Sequence, residues 1–113
     1  MKVQNIIFGY VLISILLKTI RNILVMKNYI KKQIRILMIL HNTKDIYVLC
    51  EHYKIYILYG NFDLKGAFFI DENNTSFIFL RKGLSPQEEI NILIHEFGHF
   101  MLHKQQYLLN RRS

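Results

Sequence analysis

The sequence SPQEEINILIHEFGHFMLH, residues 85–103, predicts one helix that carries two histidines four positions apart. Ser85 is a favourable N-cap, Pro86 fits the first helical position, and Glu88 stands three residues after Ser85, as a capping box requires. Six apolar residues then recur at helical spacing: Ile90, Leu93, Ile94, Phe97, Phe100 and Met101. This stripe predicts that one face of the helix packs against a core.

The opposite face of this helix is predicted to hold His95, Glu96 and His99. At about 100° per residue these side chains lie away from the apolar stripe. Two histidines four residues apart have β-carbons about 5–6 Å from each other and can bind one metal ion together. Glu96 follows the first histidine directly and can take a proton from a water beside the metal. The pattern is the H-E-x-x-H signature of zinc-dependent peptidases; the alternative is a helix with surface histidines.

Length, cysteine content and charge restrict the class of protein. The chain has 113 residues, of which 51% are hydrophobic, and this suits one small domain. The lone cysteine, Cys50, favours a reducing compartment and is most simply a buried apolar residue. Eight of the fifteen Lys and Arg residues precede the first acid, Asp45. The motif-bearing part is therefore near neutral and shows no electrostatic footprint for direct nucleic-acid binding.

Residues 1–26 are predicted to form an apolar and basic helical segment ahead of a domain at residues 27–113. Its apolar run, Ile6–Leu17, is shorter than the ~20 residues that a spanning helix needs. Further extension includes Lys18 and Arg21, which are costly at membrane depth. An amphipathic helix that lies on a membrane or on the domain is therefore one interpretation. Its polar face would hold Ser14, Lys18, Arg21 and Asn22.

Two other interpretations of this segment stay open. A signal peptide would explain the basic start and the apolar middle, although no small-residue cleavage site follows. Translation from Met26 would make the segment upstream sequence. The predicted location of the protein is the cytoplasm, with membrane association through residues 6–26 as the alternative.

The middle of the chain predicts helices followed by strands. Lys27–Leu40 is a basic, helix-compatible stretch, and Asn42 or Thr43 is a suitable N-cap for a second, short helix. That helix would bury Ile46, Leu49, Cys50 and Tyr53. Three stretches rich in β-forming residues come next: Lys54–Tyr59, Gly66–Asp71 and Ser76–Leu80. Residues 72–75 form a hairpin loop, because Asn tolerates the left-handed conformation. The order predicts an α+β fold with a three-stranded antiparallel sheet ahead of the motif helix.

From Lys31 to His103 the sequence resembles the ImmA/IrrE family of metallopeptidases. The shared features are an Ile-rich strand ending in Tyr59-Gly60, a second strand with Gly66, Leu84-Ser85 ahead of the helix, and H-E-F-G-H followed by Leu102-His103. The resemblance implies a small zincin-like domain with gluzincin-like endopeptidase activity. By the same resemblance His95 and His99 are the Zn2+ ligands and Glu96 is the general base.

The resemblance also implies a partner. Such enzymes are cytoplasmic, are commonly encoded by phages and mobile elements, and cleave a helix-turn-helix transcriptional repressor. An edge strand, for which we take Ser76–Leu80, would hold the substrate as an added strand.

The third zinc ligand is the point at which the sequence departs from the family. A catalytic zinc site normally has three protein ligands, and the family takes an acidic one from a downstream helix, whereas no Asp or Glu follows Glu96. A metzincin-type third histidine would fall on Gln105. His103 lies about 12 Å of helix rise from His95, so it is predicted to line the cleft or support a ligand. Upstream acids that could fold over the site are Asp63, Asp71 and Glu72. The alternative is a C-terminally truncated, inactive remnant that still binds the repressor.

Overall fold

The computed structural model describes the backbone of residues 3–111 and the side chains of residues 9–105. The elements are α1 (Val3–Leu40), α2 (Ile46–His52), β1 (Ile55–Gly60), β2 (Gly66–Ile70), β3 (Ser76–Arg81) and α3 (Pro86–Arg111). The predicted α+β class is confirmed. The chain divides into two compact units, Met1–Gln33 and Ile34–Ser113, and the boundary drawn at residue 26 stays a prediction.

The first unit consists of most of α1, which runs as one helix through both predicted N-terminal stretches. Its large apolar side chains between Tyr10 and Met26 are exposed. By length and composition alone, Gly9–Leu40 could cross a membrane, and none of its most apolar window is buried.

The core of the second unit lies between the sheet, α2 and α3. Its buried apolar residues are Ile34, Ile46, Leu49, Cys50, Ile55, Ile78, Leu80, Leu93, Phe97 and Phe100. Each large side chain removed from water in this way contributes about 1.5–3 kcal/mol. The predicted inward face of α2 is therefore confirmed at Ile46, Leu49 and Cys50, and Tyr53 packs edge-on against Phe97. Burial raises the pKa of the Cys50 thiol to about 12.

The N-cap of α2 is Asp45, and the expected caps Asn42 and Thr43 have other roles. The Asp45 carboxylate accepts a hydrogen bond of 2.9 Å from the backbone N–H of Tyr47. Thr43 Oγ1 accepts from the backbone N–H of Asp45 at 3.1 Å. Asn42 has a φ of 51°, the left-handed conformation that commonly follows the end of a helix. The prediction that Asn42 or Thr43 caps α2 was wrong, because Asn42 terminates α1 and Asp45 caps α2.

The sheet is mixed, in the order β1-β3-β2. The hairpin pairing of β2 with β3 is antiparallel, as expected, but β1 pairs with β3 in parallel. The five-residue β1–β2 connection passes the end of β3, where Lys82 N–H donates to the carbonyl of Gly60 and Arg81 N–H to that of Lys65, both at 3.0 Å. Because β3 is central, the expectation that it is an edge strand was wrong. The edge strands are β1 and β2.

The β2–β3 loop has the chemistry that the sequence predicts. Asp71 Oδ1 accepts hydrogen bonds from the backbone N–H of Asn73 at 3.0 Å and of Thr75 at 2.9 Å. Asn74 adopts a left-handed φ of 62°, which Asn tolerates better than most residues. These bonds close the loop that sets the register in which β2 pairs with β3.

Candidate metal centre

The first turn of α3 is fixed by a cap and an ion pair. Ser85 Oγ accepts a hydrogen bond of 3.2 Å from Glu88 N–H, which confirms the predicted N-cap. The Glu88 carboxylate accepts a 2.9 Å hydrogen bond from Lys65 Nζ. The hydrogen bond from Lys65, and then its charge, lowers the pKa of Glu88. Both side chains are about half exposed, so this pair adds little stability, but it joins the residue ahead of β2 to the helix.

The two histidines of the motif are spaced as metal ligands. His95 and His99 are exposed on α3, with their Nε2 atoms 3.1 Å apart. Their ring centroids lie 4.8 Å apart, and the rings are nearly perpendicular. Two nitrogens that each bind a tetrahedral zinc ion at about 2.0–2.1 Å are about 3.3 Å from one another. The imidazoles therefore fit a shared zinc ion with almost no rearrangement.

Glu96 lies beside this pair but is buried, with 7% of its surface exposed. The potential ligand atoms of His95, Glu96 and His99 all lie within 4.8 Å of one another. The sequence placed Glu96 on the open face with the histidines. The expectation was wrong because β2 covers this side of the helix: a β-carbon at Gly66 would lie 3.6 Å from Glu96 Cγ. A carboxylate held in this way has little freedom to turn away from the histidines.

Gly66 is the closest approach of the sheet to the motif helix. A β-carbon at this position would overlap Cγ2 of Ile92 and would come within 3.3 Å of the carbonyl oxygen of Phe79. Only glycine, which lacks a β-carbon, lets β2 and α3 approach so closely. The glycine that the sequence marked as a family feature thus sets the distance between β2 and Glu96.

Glu89 anchors the start of α3 through two tyrosines, which sequence reasoning missed. Its Oε1 accepts hydrogen bonds from Tyr47 at 2.5 Å and from Tyr59 at 2.7 Å. Burial, followed by the bond to Glu89, raises the pKa of Tyr59 to about 12 and raises that of Tyr47 as well. Both hydroxyls thus remain donors at neutral pH. The sequence offered one signal for a role of Glu89: it lies seven residues before Glu96 and therefore on the same side of the helix.

The free edge of β2 runs beside the motif helix. Arg81 N–H donates to the carbonyl of Lys65, and Asp71 N–H donates to that of Thr75. These two bonds show which residue pairs of β2 and β3 are hydrogen-bonded. Antiparallel pairs alternate, so the N–H and C=O groups of three β2 residues point away from β3: Gly66, Phe68 and Ile70. A ladder of main-chain donors and acceptors therefore begins at Gly66, next to Glu96.

His103 and the upstream acids stay outside the metal group. The His103 ring lies 6.4 Å from the Phe68 ring and lines a pocket of about 380 Å³ with Tyr53, Phe100 and Lys104. Asp71 caps the β2–β3 loop, and neither Asp63 nor Glu72 joins the cluster. Within the part of the chain whose side chains are described, two histidines and one glutamate make up the candidate centre.

An α+β domain whose helix presents H-E-x-x-H beside a free strand edge is typical of metallopeptidases. Residues 50–113, more than half of the chain, match the model of the Peptidase_M78 family, the IrrE N-terminal-like domain. The chain belongs to this ImmA/IrrE family of metallopeptidases.

One curated relative shows how much of such an enzyme the chain represents. It is the Metallopeptidase ImmA of Bacillus subtilis (strain 168), with 26% identity over 76 residues. The aligned region covers 67% of this chain and 45% of ImmA, so the chain spans less than half the length of that relative. No solved structure matches the chain.

Proposed function

We propose that this protein is a zinc-dependent endopeptidase of the ImmA/IrrE type. The observation that carries the proposal is the 3.1 Å separation of the Nε2 atoms of His95 and His99 beside the buried Glu96. Family membership supports a metallopeptidase. The choice of zinc rests on the donor set, because two imidazoles at this spacing fit tetrahedral zinc.

Each motif residue has a distinct role in peptide hydrolysis. His95 and His99 hold the metal, which when bound polarises a peptide carbonyl and makes an adjacent water more acidic. Glu96 takes a proton from that water as it attacks the carbonyl carbon, and passes the proton to the leaving amine nitrogen. Its burial against β2 keeps the carboxylate within reach of both the attacking water and the leaving amine nitrogen.

The substrate binds as an added strand along β2. The outward N–H and C=O groups of Gly66, Phe68 and Ile70 offer main-chain hydrogen bonds to an extended peptide. Because this edge starts beside Glu96, a peptide paired with it passes the histidine pair. Such binding gives main-chain affinity and requires a substrate segment that is extended or becomes so.

The proposed substrate is a helix-turn-helix transcriptional repressor of a phage or mobile element. It is supported by the family resemblance and by the likeness to ImmA. The part of the chain from Asp45 onward has seven cations and eight acids, so the protein would recognise the repressor and not its DNA. The proposed location is the cytoplasm, in keeping with the free, buried Cys50.

The third ligand is proposed to come from outside the described side chains. A two-histidine site leaves zinc with open positions and weak affinity. An acidic helix joined after residue 113 should therefore raise both zinc affinity and peptidase activity. If zinc affinity rises and cleavage does not, the appended helix completes the metal site without completing the active site.

A second candidate function is repressor binding without cleavage. The observation in its favour is that, among the described residues, the metal cluster contains no ligand besides the two histidines and the motif glutamate. Such a protein would sequester the repressor, and its effect on transcription would not depend on Glu96.

The deciding experiment combines zinc titration with a cleavage assay on a purified helix-turn-helix repressor. We expect about one weakly bound zinc per chain and little cleavage until the acidic helix is added, after which a chelator stops cleavage and added zinc restores it. Repressor binding without cleavage, with or without the acidic helix, would support sequestration. Cleavage that persists in chelator, or in a Glu96→Gln variant, would refute the zinc peptidase.

A further inference from the structure

The apolar surface of α1 is the largest feature that the peptidase chemistry leaves unused. Twelve large apolar side chains between Tyr10 and Met26 are exposed. Exposed patches of this extent mark interaction sites in proteins. The N-terminal part of this helix belongs to the first compact unit and contributes no residue to the candidate metal centre.

The polar side chains of this helix segment cluster on one side, which also holds Val11, Ile15 and Val25, and the opposite side is apolar throughout. At about 100° per residue, Thr19 lies about 100° from Lys18, and the other four polar residues from Leu12 to Leu24 fall within about 60° of Lys18. They are Ser14, Lys18, Arg21 and Asn22. The opposite face, about 140° wide, holds Leu12, Ile13, Leu16, Leu17, Ile20, Ile23 and Leu24. The helix is therefore amphipathic over about 25 Å of its length.

The charge of this helix has one sign. Six cations between residues 9 and 40 are exposed, and no acid precedes Asp45 in the whole chain. The exposed cations are Lys18, Arg21, Lys27, Lys31, Lys32 and Arg35. A helix with a broad apolar face, a polar stripe and excess Lys and Arg is the pattern of an interfacial membrane helix. Anionic headgroups attract such cations when they lie near the surface.

We propose that residues 10–26 of α1 bind in the plane of an anionic lipid bilayer, with the apolar face among the acyl chains. Lys18 and Arg21 argue against a spanning helix, because both would lie at membrane depth. In the in-plane orientation their stems run along the apolar surface and their charges reach the headgroups. The peptidase unit would then be concentrated at the membrane surface.

The test is co-sedimentation of the full chain with vesicles of phosphatidylglycerol and phosphatidylcholine, and with phosphatidylcholine alone. We expect binding to the anionic vesicles that weakens at high salt and is released by alkaline carbonate. Changing Lys18, Arg21 and Lys32, the exposed cations on the polar side, to Gln should weaken it by about fivefold per cation, about a hundredfold in all.

Matched variants test whether vesicle binding depends on the apolar face itself or on the overall hydrophobicity of the helix. Leu16→Gln with Ile20→Gln, at the centre of that face, should weaken binding by at least about tenfold. Val11→Gln with Val25→Gln, on the polar side, should bind as the unchanged chain does. Equal loss in both pairs, equal binding to neutral vesicles, or resistance to carbonate would overturn the in-plane proposal. A stable dimer in solution that does not bind vesicles would assign the face to a second copy instead.

Discussion

Gly66 of β2 lies so close to Ile92 of α3 that a β-carbon at position 66 would overlap Cγ2 of Ile92. This contact sets how near the free edge of β2 comes to the motif helix. We predict that Gly66→Ala lowers the free energy of unfolding by about 1–3 kcal/mol, the usual cost of overpacking. Thermal unfolding measures it. Gly9→Ala is the control, because nothing lies within 4 Å of a β-carbon there; equal losses in the two variants would contradict the packing argument.

Zinc binding should depend unequally on the three histidines of α3. We predict that His95→Ala or His99→Ala abolishes it, because each removes half of the closely spaced imidazole pair. His103→Ala should keep most of it, because His103 packs beside Phe68 and outside the metal cluster. Titration of zinc against a chromophoric chelator distinguishes these outcomes. Similar losses at all three positions would show that the ligand assignment is wrong.

The glutamate of the motif should be needed for chemistry and not for metal binding. We predict that Glu96→Gln keeps the zinc affinity and reduces cleavage by at least about a hundredfold, the usual effect of removing a general base. Glu72→Gln is the control, since Glu72 is exposed and lies outside the metal cluster. Loss of zinc from Glu96→Gln would make Glu96 a ligand and would overturn the role assigned to it.

The free edge of β2 should bind the substrate main chain. Ile70→Pro removes an N–H group that points away from β3, and edge strands tolerate proline there. We predict normal folding and zinc binding, with at least about tenfold weaker binding of an extended repressor peptide. Ile70→Ala should bind the peptide well, and Phe69→Pro should instead destabilise the sheet, since its N–H faces β3. Normal peptide affinity in Ile70→Pro would exclude strand addition at this edge.

A chain that starts at Met26 should keep its fold and its zinc. The second compact unit begins at Ile34, and the buried core lies entirely within it. Circular dichroism and zinc titration of the shortened chain test this. Aggregation together with loss of metal would mean that the N-terminal segment is part of the folding unit.

Local signals in the sequence predicted the local features well. Ser85 as an N-cap, the loop chemistry of residues 72–75 and the His95–His99 spacing each depend on residues within four positions of one another. The structure shows the cap and the loop bonds directly. For the histidines it shows the spacing, while their role stays a prediction.

Features that depend on contacts between residues distant in sequence could not be predicted from these local signals. Nothing near Glu96 in sequence indicates that Gly66 covers it, or that two tyrosines reach Glu89. The parallel pairing of β1 with β3 follows from the path of the chain across the end of β3, which strand propensity does not encode. One signal was available, because residues 77–80 are continuously apolar, as is typical of a strand covered on both faces.

His95 and His99 belong to neighbouring turns of one helix, so their proximity is a contact of very low sequence separation. It can form as soon as α3 winds, ahead of the long-range pairing of β1 with β3. A metal ion would then bind partly folded chains as well as the native one, and a ligand that binds both states shifts the folding equilibrium only weakly. Zinc would stabilise the two helical turns that carry the histidines. The sheet and α2 would depend on their own packing for stability.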